Sequence, residues 1–587
     1  ELATNVSKTE NFLLRILKSS CQYFILSPQS VPNCTEILVA ALTVTFTFSF
    51  IQGLSSSWWI IFYSALSNFC PIALPNDVMT SPHERTPLID SVPVANGSEN
   101  GTKLQPKFSI SHSFSALSSS IQDHMGRIGY LGSMSIAVNS LTGPAMLNLP
   151  DTFQRSGLIP TSLAVVFVCI LSAFCCLHMA NTISKVRGNF DFKLEVEYSE
   201  TFERFWGHRS FVVTQILFFC CITCLNVSSI VDTAQVIDTF LGHWSPSGSA
   251  AINFFYNDDG DWDIDVVQWD YSICSEQMLL DGECLPFLQT SGIVFTAGYA
   301  LTLVFFFPMA LMDLKENATW QIIGFLVLVI ASLIFVVLFL MEGIHLDNLS
   351  LWGDSWDTLF GVVLFNFALV IAVPCWLYEK EEHVDVPTII HGSSILSAIL
   401  YLLIGALGAM TIPHVSPNML ESMMSGVFGT TMQLTASIFA FFIIGLGCPL
   451  FSVLTRMNLT GSGLLSRGPA NALAVYLPFF SSWLFYQGDW VTQLLSWGGI
   501  IFTSLVAFIL PLWIALHTLD TSDEKGVIEV YGRFTVLSKV VQKRRLYILM
   551  GLTMMSIMAA IAGNFVQQSK TQEDGVGVLA KKEGIIF

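Results

Sequence analysis

The sequence predicts an all-α, polytopic membrane protein with eleven transmembrane helices. Of its 587 residues, 52% are hydrophobic and only 12% are charged, and the mean hydropathy is +0.61. Apolar runs of roughly 20 residues, enough to cross a bilayer, recur along most of the chain with short polar gaps between them. These runs are continuous instead of alternating, which favours helices over a β-barrel.

The distribution of basic residues predicts the orientation of these spans. We place the eleven spans near 129–152, 158–181, 210–241, 289–311, 320–342, 356–377, 388–412, 427–455, 470–488, 492–517 and 545–566. With the N-terminal tail in the cytosol, the inside loops hold fifteen lysines and arginines, whereas the outside loops between spans hold only Arg155. This asymmetry is typical of positive-inside insertion and puts the C-terminus on the outer or lumenal side. The net charge of −18 argues against a nucleic-acid partner.

The chain divides into four regions. The first methionine is Met79, and the one apolar run before it would insert in the orientation opposite to that predicted from the later loops. We therefore interpret the beginning of the chain as a doubtful extension, introduced by the gene model or, alternatively, a cleaved or interfacial leader. The regions are the extension at 1–78, a disordered cytosolic tail at 79–128, the membrane domain at 129–566 and a lumenal or extracellular tail at 567–587.

The cytosolic tail contains a short pattern that sorting adaptors read. Glu84 is followed after three residues by Leu88 and Ile89, as in acidic dileucine signals. An exposed, extended segment is the setting that such a signal requires. The alternative is a chance match in a disordered tail.

The longest outside loop, at 242–288, is strongly acidic. It carries nine acids and no lysine or arginine, and it holds the pair Cys274 and Cys284. Because the outside is oxidising, we expect these two cysteines to form a disulfide. Asp261, Asp263 and Asp265 resemble part of a calcium loop, but the turn glycine and the terminal acid are missing, which favours a solvated acidic loop.

Modification and metal sites are few. Asn348 in NLS is the one sequon between spans that faces outside, so it is the predicted glycosylation site. Eight cysteines fall in apolar spans, where cysteine packs as a small hydrophobe. The pair Cys221 and Cys224 lacks a second pair of ligands, and we predict no metal and no cofactor.

The first span is interrupted in its middle. The stretch NSLTGPAMLNLP, which begins at Asn139, contains Gly143, Pro144 and a second proline. Proline removes a backbone donor and clashes with the preceding turn, so unwinding near Leu141 to Pro144 has a steric cause. In a membrane such a break is tolerated where it lines a cavity, and the helix that restarts can point its N-terminus at an anion. An ordinary proline kink is the alternative.

Three segments together resemble the amino acid/auxin permease family, which includes vacuolar, lysosomal and plasma-membrane neutral amino acid transporters. NSLTGPAMLNLPDTFQRSGLIP resembles the family's first helix, FNFALVIAVPCWLYEKEE its sixth, and CPLFSVLTRMNL the end of its eighth. The resemblance covers about residues 129–566. It implies a five-plus-five inverted repeat in which helices 1 and 6 are discontinuous, with an eleventh helix added, and alternating access by rocking of spans 1, 2, 6 and 7.

The resemblance also implies a substrate site between the two broken helices. The first break would hold the carboxylate of an amino acid, and carbonyl groups of the second would accept its ammonium group. The matching residues are Leu141, Thr142, Gly143 and Pro144 in the first span and Phe365, Asn366, Phe367, Ala368 and Leu369 in the sixth. The position matching a family proline in the sixth span is Val370, so the second break is inferred from the resemblance alone.

Coupling to protons is favoured over coupling to sodium. Asn139 matches an asparagine of the cation site in sodium-coupled members, but the hydroxyl residue they carry before Pro449 is absent here. A proton-coupled mechanism needs a titratable group within the membrane, and Asp232 in the third span is the candidate. Its alternative interpretation is a residue at headgroup level.

The sequence thus predicts a non-enzymatic, multi-pass secondary transporter of neutral amino acids. Its partners would be the amino acid, H⁺ or less favourably Na⁺, the lipid bilayer, and a sorting adaptor at the tail. A vacuolar or lysosomal membrane is favoured, with the plasma membrane as the alternative. A different hypothesis is a receptor that keeps the fold and senses amino acids with little or no net transport.

Overall fold

The computed structural model describes residues 127–582 with internal gaps. These gaps are Gly143, Phe190, 257–261, 275–285, Gln289, Ser291, 357–358, 416–418, 425–427, 488–493 and 522–538. The proposed extension at 1–78, nearly all of the tail at 79–128, and the sorting pattern of Glu84, Leu88 and Ile89 therefore lie outside the described residues, as do Gly143 and Cys284.

The first half of the described chain is helical up to a small sheet. In chain order it contains α1 (Tyr130–Leu141), a 3-10 segment (Pro144–Asn148), α2 (Leu149–Ser156), α3 (Leu158–Ser184), α4 (Tyr198–Trp206), α5 (His208–Trp244), β1 (Ser249–Tyr256), β2 (Trp262–Trp269), a 3-10 turn (Tyr271–Ile273), β3 (Ile293–Thr296) and α6 (Ala297–Ala310).

The second half contains several helices that change type along their length. In chain order these are α7 (Leu314–Glu342), a 3-10 turn (Leu346–Asn348), α8 (Leu359–Asn366), a 3-10 turn (Leu369–Ile371), α9 (Val373–Glu379), α10 (Val386–Thr411), α11 (Met419–Met424), α12 (Thr430–Phe439), a π turn (Ala440–Ile444) and α13 (Gly445–Gly461). After these follow α14 (Arg467–Asn471), a π turn (Ala472–Tyr476), α15 (Leu477–Ser481), a 3-10 turn (Ser482–Phe485), a π segment (Leu494–Ile509), α16 (Leu510–Thr521) and α17 (Lys539–Lys582).

Eight helices of the described chain are long and apolar enough to cross a membrane, so the protein is an integral, multi-pass membrane protein. They are Leu158–Ser184, His208–Trp244, Leu314–Glu342, Leu359–Glu379, Val386–Thr411, Thr430–Gly461, Ile500–Leu519 and Val540–Gly563. Three further predicted spans coincide with the interrupted helix α1 to α2, the shorter α6, and the pieces from α14 to α15. The number eleven stays a prediction. The last helix extends past the predicted end of its span, through much of the tail placed at 567–587.

The apolar faces of the outer helices point away from the core, as expected for a lipid-facing surface. On α7, Ile330, Leu333 and Val337 are 58%, 61% and 54% exposed, whereas Leu328 and Phe335 on the same helix are fully buried. Because lipid and not water surrounds these helices, an exposed leucine or isoleucine carries no free-energy cost.

The acidic loop predicted at 242–288 contains β1 and β2, which form a three-stranded antiparallel sheet with β3 in the order β2-β1-β3. Strand β3 lies within the span predicted at 289–311, so the start of that span was wrong and its helix, α6, begins only at Ala297. Ser249 pairs with Trp269 at one end of the β1–β2 ladder, and Ile252 pairs with both Val266 and Phe295. The prediction of a solvated acidic loop did not include these strands. The alternation in WDIDVVQW is the period-2 signal of a strand with one polar face.

The two discontinuous spans, α1 to α2 and α8 to α9, are joined at both ends by backbone hydrogen bonds. At one end Ile128 N donates to Glu379 O at 2.8 Å and Glu381 N donates to Ile128 O at 3.0 Å. At the other end Gly353 N donates to Ser156 O at 2.9 Å and Ser355 N donates to the carbonyl oxygen of Arg155 at 3.1 Å. These bonds bring the two breaks to the same depth, in the middle of the helix bundle.

Candidate functional site

The first span breaks where the sequence predicts. Helix α1 ends at Leu141, and both the backbone N–H and the hydroxyl of Thr142 donate to Val138 O, at 2.8 and 2.9 Å. The chain restarts as a 3-10 segment at Pro144, which lacks the N–H that would continue the α1 ladder. The first N–H groups of a restarting helix have no partner within it, so this end carries a partial positive charge inside the bundle.

The sixth predicted span also breaks, although no glycine or proline stands between α8 and the 3-10 turn, and the nearest proline, Pro374, lies on the first turn of α9. Helix α8 ends at Asn366, whose side-chain amide donates to Val362 O at 2.9 Å. Phe367 and Ala368 separate α8 from the 3-10 turn, and α9 then begins at Val373. The discontinuity inferred from the resemblance alone is therefore present.

Hydrogen bonds from neighbouring helices hold the second break. Ser172 on α3 donates its hydroxyl to Phe367 O at 2.8 Å. Tyr401 on α10, which is fully buried, donates to Leu141 O, and its hydroxyl lies 3.2 Å from Asn366 O. The Phe367 ring packs edge-on against the Tyr401 ring at 5.3 Å. One tyrosine thus contacts the carbonyl group at the end of α1 and the one at the end of α8.

A small cavity lies between the two breaks. The cavity volume is about 30 Å³, enough for roughly two water molecules. Four of the nine predicted substrate residues line it, namely Leu141, Phe365, Asn366 and Ala368. Thr142, Phe367 and Leu369 lie in the breaks without lining the cavity.

Two predicted substrate residues cannot be placed at the cavity. Gly143 lies outside the described residues. Pro144 is described only through its backbone, as the first residue of the 3-10 segment. Two of the carbonyl groups that were expected to accept a substrate ammonium already contact side-chain hydroxyl groups. Asn366 O contacts the hydroxyl of Tyr401, and Phe367 O accepts a hydrogen bond from Ser172.

The remaining cavity wall comes from residues that the sequence analysis did not assign to it. They are Ser140 on α1, Leu225 and Ser229 on α5, Ile371 and Ala372 before α9, and Phe451 and Leu454 on α13. A single serine or leucine in an apolar span carries no signal of its role. Among the described residues that line the cavity there is no charged side chain and no histidine.

Asn139 takes part in a buried amide network that connects three helices. Its Nδ2 donates to both the backbone oxygen and Oε1 of Gln321 on α7, each at 2.8 Å. Gln321 Nε2 in turn donates to Asn317 Oδ1 at 2.9 Å and to Leu446 O on α13 at 3.1 Å. The side-chain amide of Gln321 therefore links α1, α7 and α13.

Asp232, the other predicted coupling residue, lies one turn beyond the cavity wall. It is three positions after Ser229 on α5, about 4.5 Å further along the axis. Its side chain is half-buried and accepts a hydrogen bond from Ser228 at 3.0 Å. Its role in coupling stays a prediction.

A second acid on α5, which was not among the predicted coupling residues, is more deeply buried. Asp238 is fully buried and accepts hydrogen bonds from Ser249 at 2.5 Å, Gly298 N at 2.8 Å and Tyr486 at 2.7 Å. These donors join α5 to the sheet, to the start of α6 and to the region after α15. With so many donors Asp238 has a structural role.

Two predicted modification sites lie in loops that are predicted to face outside. Cys274 is disulfide-bonded, and its predicted partner Cys284 is outside the described residues. Asn348 ends a 3-10 turn and is half-buried, and its Nδ2 donates to Met410 O at 3.2 Å. Glycosylation at Asn348 stays a prediction, and a glycan at that nitrogen would replace this contact.

Comparison with known proteins gives likenesses to solved structures. No model of a protein family matches the sequence, and no curated protein matches it. Among solved structures, the chain is similar to MhsT in complex with L-phenylalanine, with 12% sequence identity and a TM-score of 0.47. The match covers 74% of this chain and 98% of MhsT.

Proposed function

We propose that the protein is a secondary transporter of neutral amino acids that works by alternating access. The observation that carries this proposal is the cavity between the two helix breaks, where Tyr401 contacts carbonyl groups of both. In a membrane, irregular backbone at this depth is tolerated only where it lines a cavity or is buried in protein, and substrate sites are built in this way.

The chemistry of the cavity favours a zwitterion with an uncharged side chain. The lining described above offers no charged group, so backbone dipoles must meet both charges of the ligand. The restart at Pro144 presents a helix N-terminus, which suits a carboxylate. The carbonyl groups of Leu141 and Asn366, which now contact the single hydroxyl of Tyr401, suit an ammonium with its three donors.

The size of the cavity supports a closed state. Pockets for small molecules usually measure about 300–1,000 Å³, so an amino acid enters this site only after the walls move apart. The two discontinuous spans are joined at both ends and face α5 and α13 across the cavity. Movement of that pair against α5 and α13 would open it to one side and then to the other.

We further propose coupling to protons instead of sodium. A sodium site needs several oxygen ligands, as sites for other hard cations do. Here two oxygen atoms of the network, Leu446 O and Asn317 Oδ1, already accept hydrogen bonds from Gln321. Among the buried side-chain oxygen atoms of this network, only Asn139 Oδ1 accepts no hydrogen bond. One oxygen does not make a cation site.

The test is uptake of a labelled amino-acid panel into proteoliposomes that contain the full chain, with a pH gradient and a sodium gradient imposed separately. We expect uptake of neutral amino acids driven by the pH gradient and unchanged when potassium replaces sodium. Binding without uptake or exchange would favour the receptor hypothesis. Absence of both binding and uptake across the panel would contradict the proposed substrate class.

A further inference from the structure

A buried acid lies at the end of the bundle that the positive-inside rule places in the cytosol. Glu197 directly precedes α4, in the loop between α3 and α5, and its side chain is 1% exposed. Its Oε2 accepts a hydrogen bond from Sγ of Cys375 at 3.0 Å, and its Oε1 is buried without a partner. An ionised carboxylate needs donors on both oxygens when it is removed from water. The side chain of Glu197 has only one donor, the thiol of Cys375.

Cys375 belongs to α9, the second half of the sixth predicted span, whereas the other wall around Glu197 is the end of α13. A Cβ added to Gly461 would lie 2.6 Å from Glu197 Cγ and 2.9 Å from Glu195 Oε1, so the backbone of α13 passes directly against the acid. Ser199 donates to Asn458 Oδ1 on α13 at 3.1 Å. We name this contact between Glu197, Cys375 and Gly461 the Glu197 seam. In the proposed mechanism α9 moves and α13 does not, so the Glu197 seam lies between a moving helix and a static one.

The titratable groups that face Glu197 are thiol or carboxyl groups. Glu195 and Glu200 come from its own segment, and Cys375 and Glu379 come from α9, while α13 presents Gly461 and the amide of Asn458. Glu200 is paired with Arg204 at 2.5 Å. Burial raises the pKa of Glu197 from 4.5 to about 8, the Cys375 hydrogen bond opposes this rise, and the nearby carboxylates add to it. The closed seam therefore favours the protonated form of Glu197 at neutral pH.

We infer that Glu197 is a proton-binding site which holds a proton while α9 is packed against it and releases that proton to water when the seam opens. The O–H bond breaks heterolytically, the proton goes to solvent, and Cys375 keeps its own proton. This inference deepens the proposed function, on which it rests for the movement of α9. It also gives the coupled proton an exit on the predicted cytosolic side, away from the substrate cavity.

The direction of the pH dependence follows from linkage. A carboxyl group whose pKa is raised in the closed state stabilises that state at low pH relative to high pH. Between the ordinary pKa of 4.5 and the closed-state value of about 8, each pH unit should shift the open-to-closed ratio by up to about tenfold toward open. Above about pH 8 the ratio should stop changing.

Alkylation of Cys375 measures seam opening directly, because this thiol is fully buried. The full chain in liposomes is alkylated between pH 5.5 and 8.5, and the peptide that contains Cys375 is quantified by mass spectrometry. Thiol chemistry itself depends on pH, so each rate is divided by that of Glu197→Gln, which mimics the protonated acid. We expect this ratio to rise at least tenfold between about pH 6 and pH 8 and then to level off. A ratio that is flat across this range would overturn the inference.

Two further variants keep the test decisive if Glu197→Gln fails to fold. Glu195→Gln removes one neighbouring carboxylate, which should lower the pKa of Glu197 and move the levelling of the alkylation curve to lower pH. Glu203→Gln is the matched control, since Glu203 lies on α4 and contacts His208 at 3.0 Å, and it should leave the curve unchanged. Equal curves for these two variants would contradict the inference.

Transport separates this inference from the proposed function. With Glu197→Gln we expect amino-acid exchange to continue while accumulation driven by a pH gradient is lost. If the wild-type chain shows the pH-dependent alkylation but no transport, the proposed function is wrong and the proton site stands. If transport is proton-driven and alkylation does not depend on Glu197, the proton site is wrong and the transporter stands.

Discussion

The two helix breaks differ in what keeps them open. At the first, the chain itself supplies the cause, because Pro144 has no N–H and the Thr142 groups turn back onto Val138 O. At the second, Phe367 and Ala368 have no such restriction. There the carbonyl of Phe367 is held by Ser172 from α3, while that of Asn366 faces Tyr401 from α10.

This difference teaches that one break is local and the other depends on tertiary contacts. A local break persists whatever its neighbours do. At the second break Pro374 prevents a helix bond only to Val370 O, so the ladder before that residue can close if outside donors are removed. The second break should therefore be the more sensitive to mutation of helices that do not contain it. Three substitutions, ordered by expected effect, test this.

Tyr401→Phe should have the largest effect, since its hydroxyl contacts carbonyl groups of both breaks. Without the hydroxyl, Asn366 O loses the donor that keeps it out of a helix bond, so the second break can close and the cavity with it. Holding the break open then costs about 1–3 kcal/mol, and we expect amino-acid binding to weaken roughly tenfold or more. Binding of a labelled neutral amino acid to the purified protein measures this. Tyr547→Phe on α17 is the control, because that side chain is 51% exposed. Wild-type affinity in Tyr401→Phe would contradict the account of the two breaks.

Ser172→Ala should have an intermediate effect, confined to the second break. It removes the donor to Phe367 O, and the expected loss is about 0.5–1.5 kcal/mol, or up to roughly tenfold in affinity. Hydrogen exchange of the 364–371 backbone should slow, because those groups can then form helix bonds. If exchange accelerates instead, the break is not held by Ser172.

Thr142→Val should have the smallest effect. The hydroxyl of Thr142 shares Val138 O with the backbone N–H of the same residue, so the carbonyl keeps a donor and valine preserves the shape. We expect a change in affinity below about threefold, since little more than one shared hydrogen bond is lost. A loss as large as that of Tyr401→Phe would show that the first break is not locally determined.

The same distinction explains what the sequence could reveal. Gly143 and Pro144 made the first break readable, and apolar runs located the long helices, because both signals are local. Tyr401, Ser172 and Gln321 were missed, since each acts on a carbonyl or amide far away in the chain. Glu197 carried no signal either, because its burial depends on α9 and α13, which follow it by more than a hundred residues.

The central claim is that the cavity between the breaks binds a neutral amino acid. The most direct measurement is equilibrium binding of a labelled neutral amino-acid panel to the purified full chain, comparing wild type with Ala368→Leu. Ala368 lines the cavity and is 8% exposed, so leucine fills space the ligand needs; Ala559→Leu on the exposed face of α17 is the control. The account predicts binding by wild type and by the control, and its loss in Ala368→Leu with unchanged thermal stability. Unchanged binding in stable Ala368→Leu would contradict it.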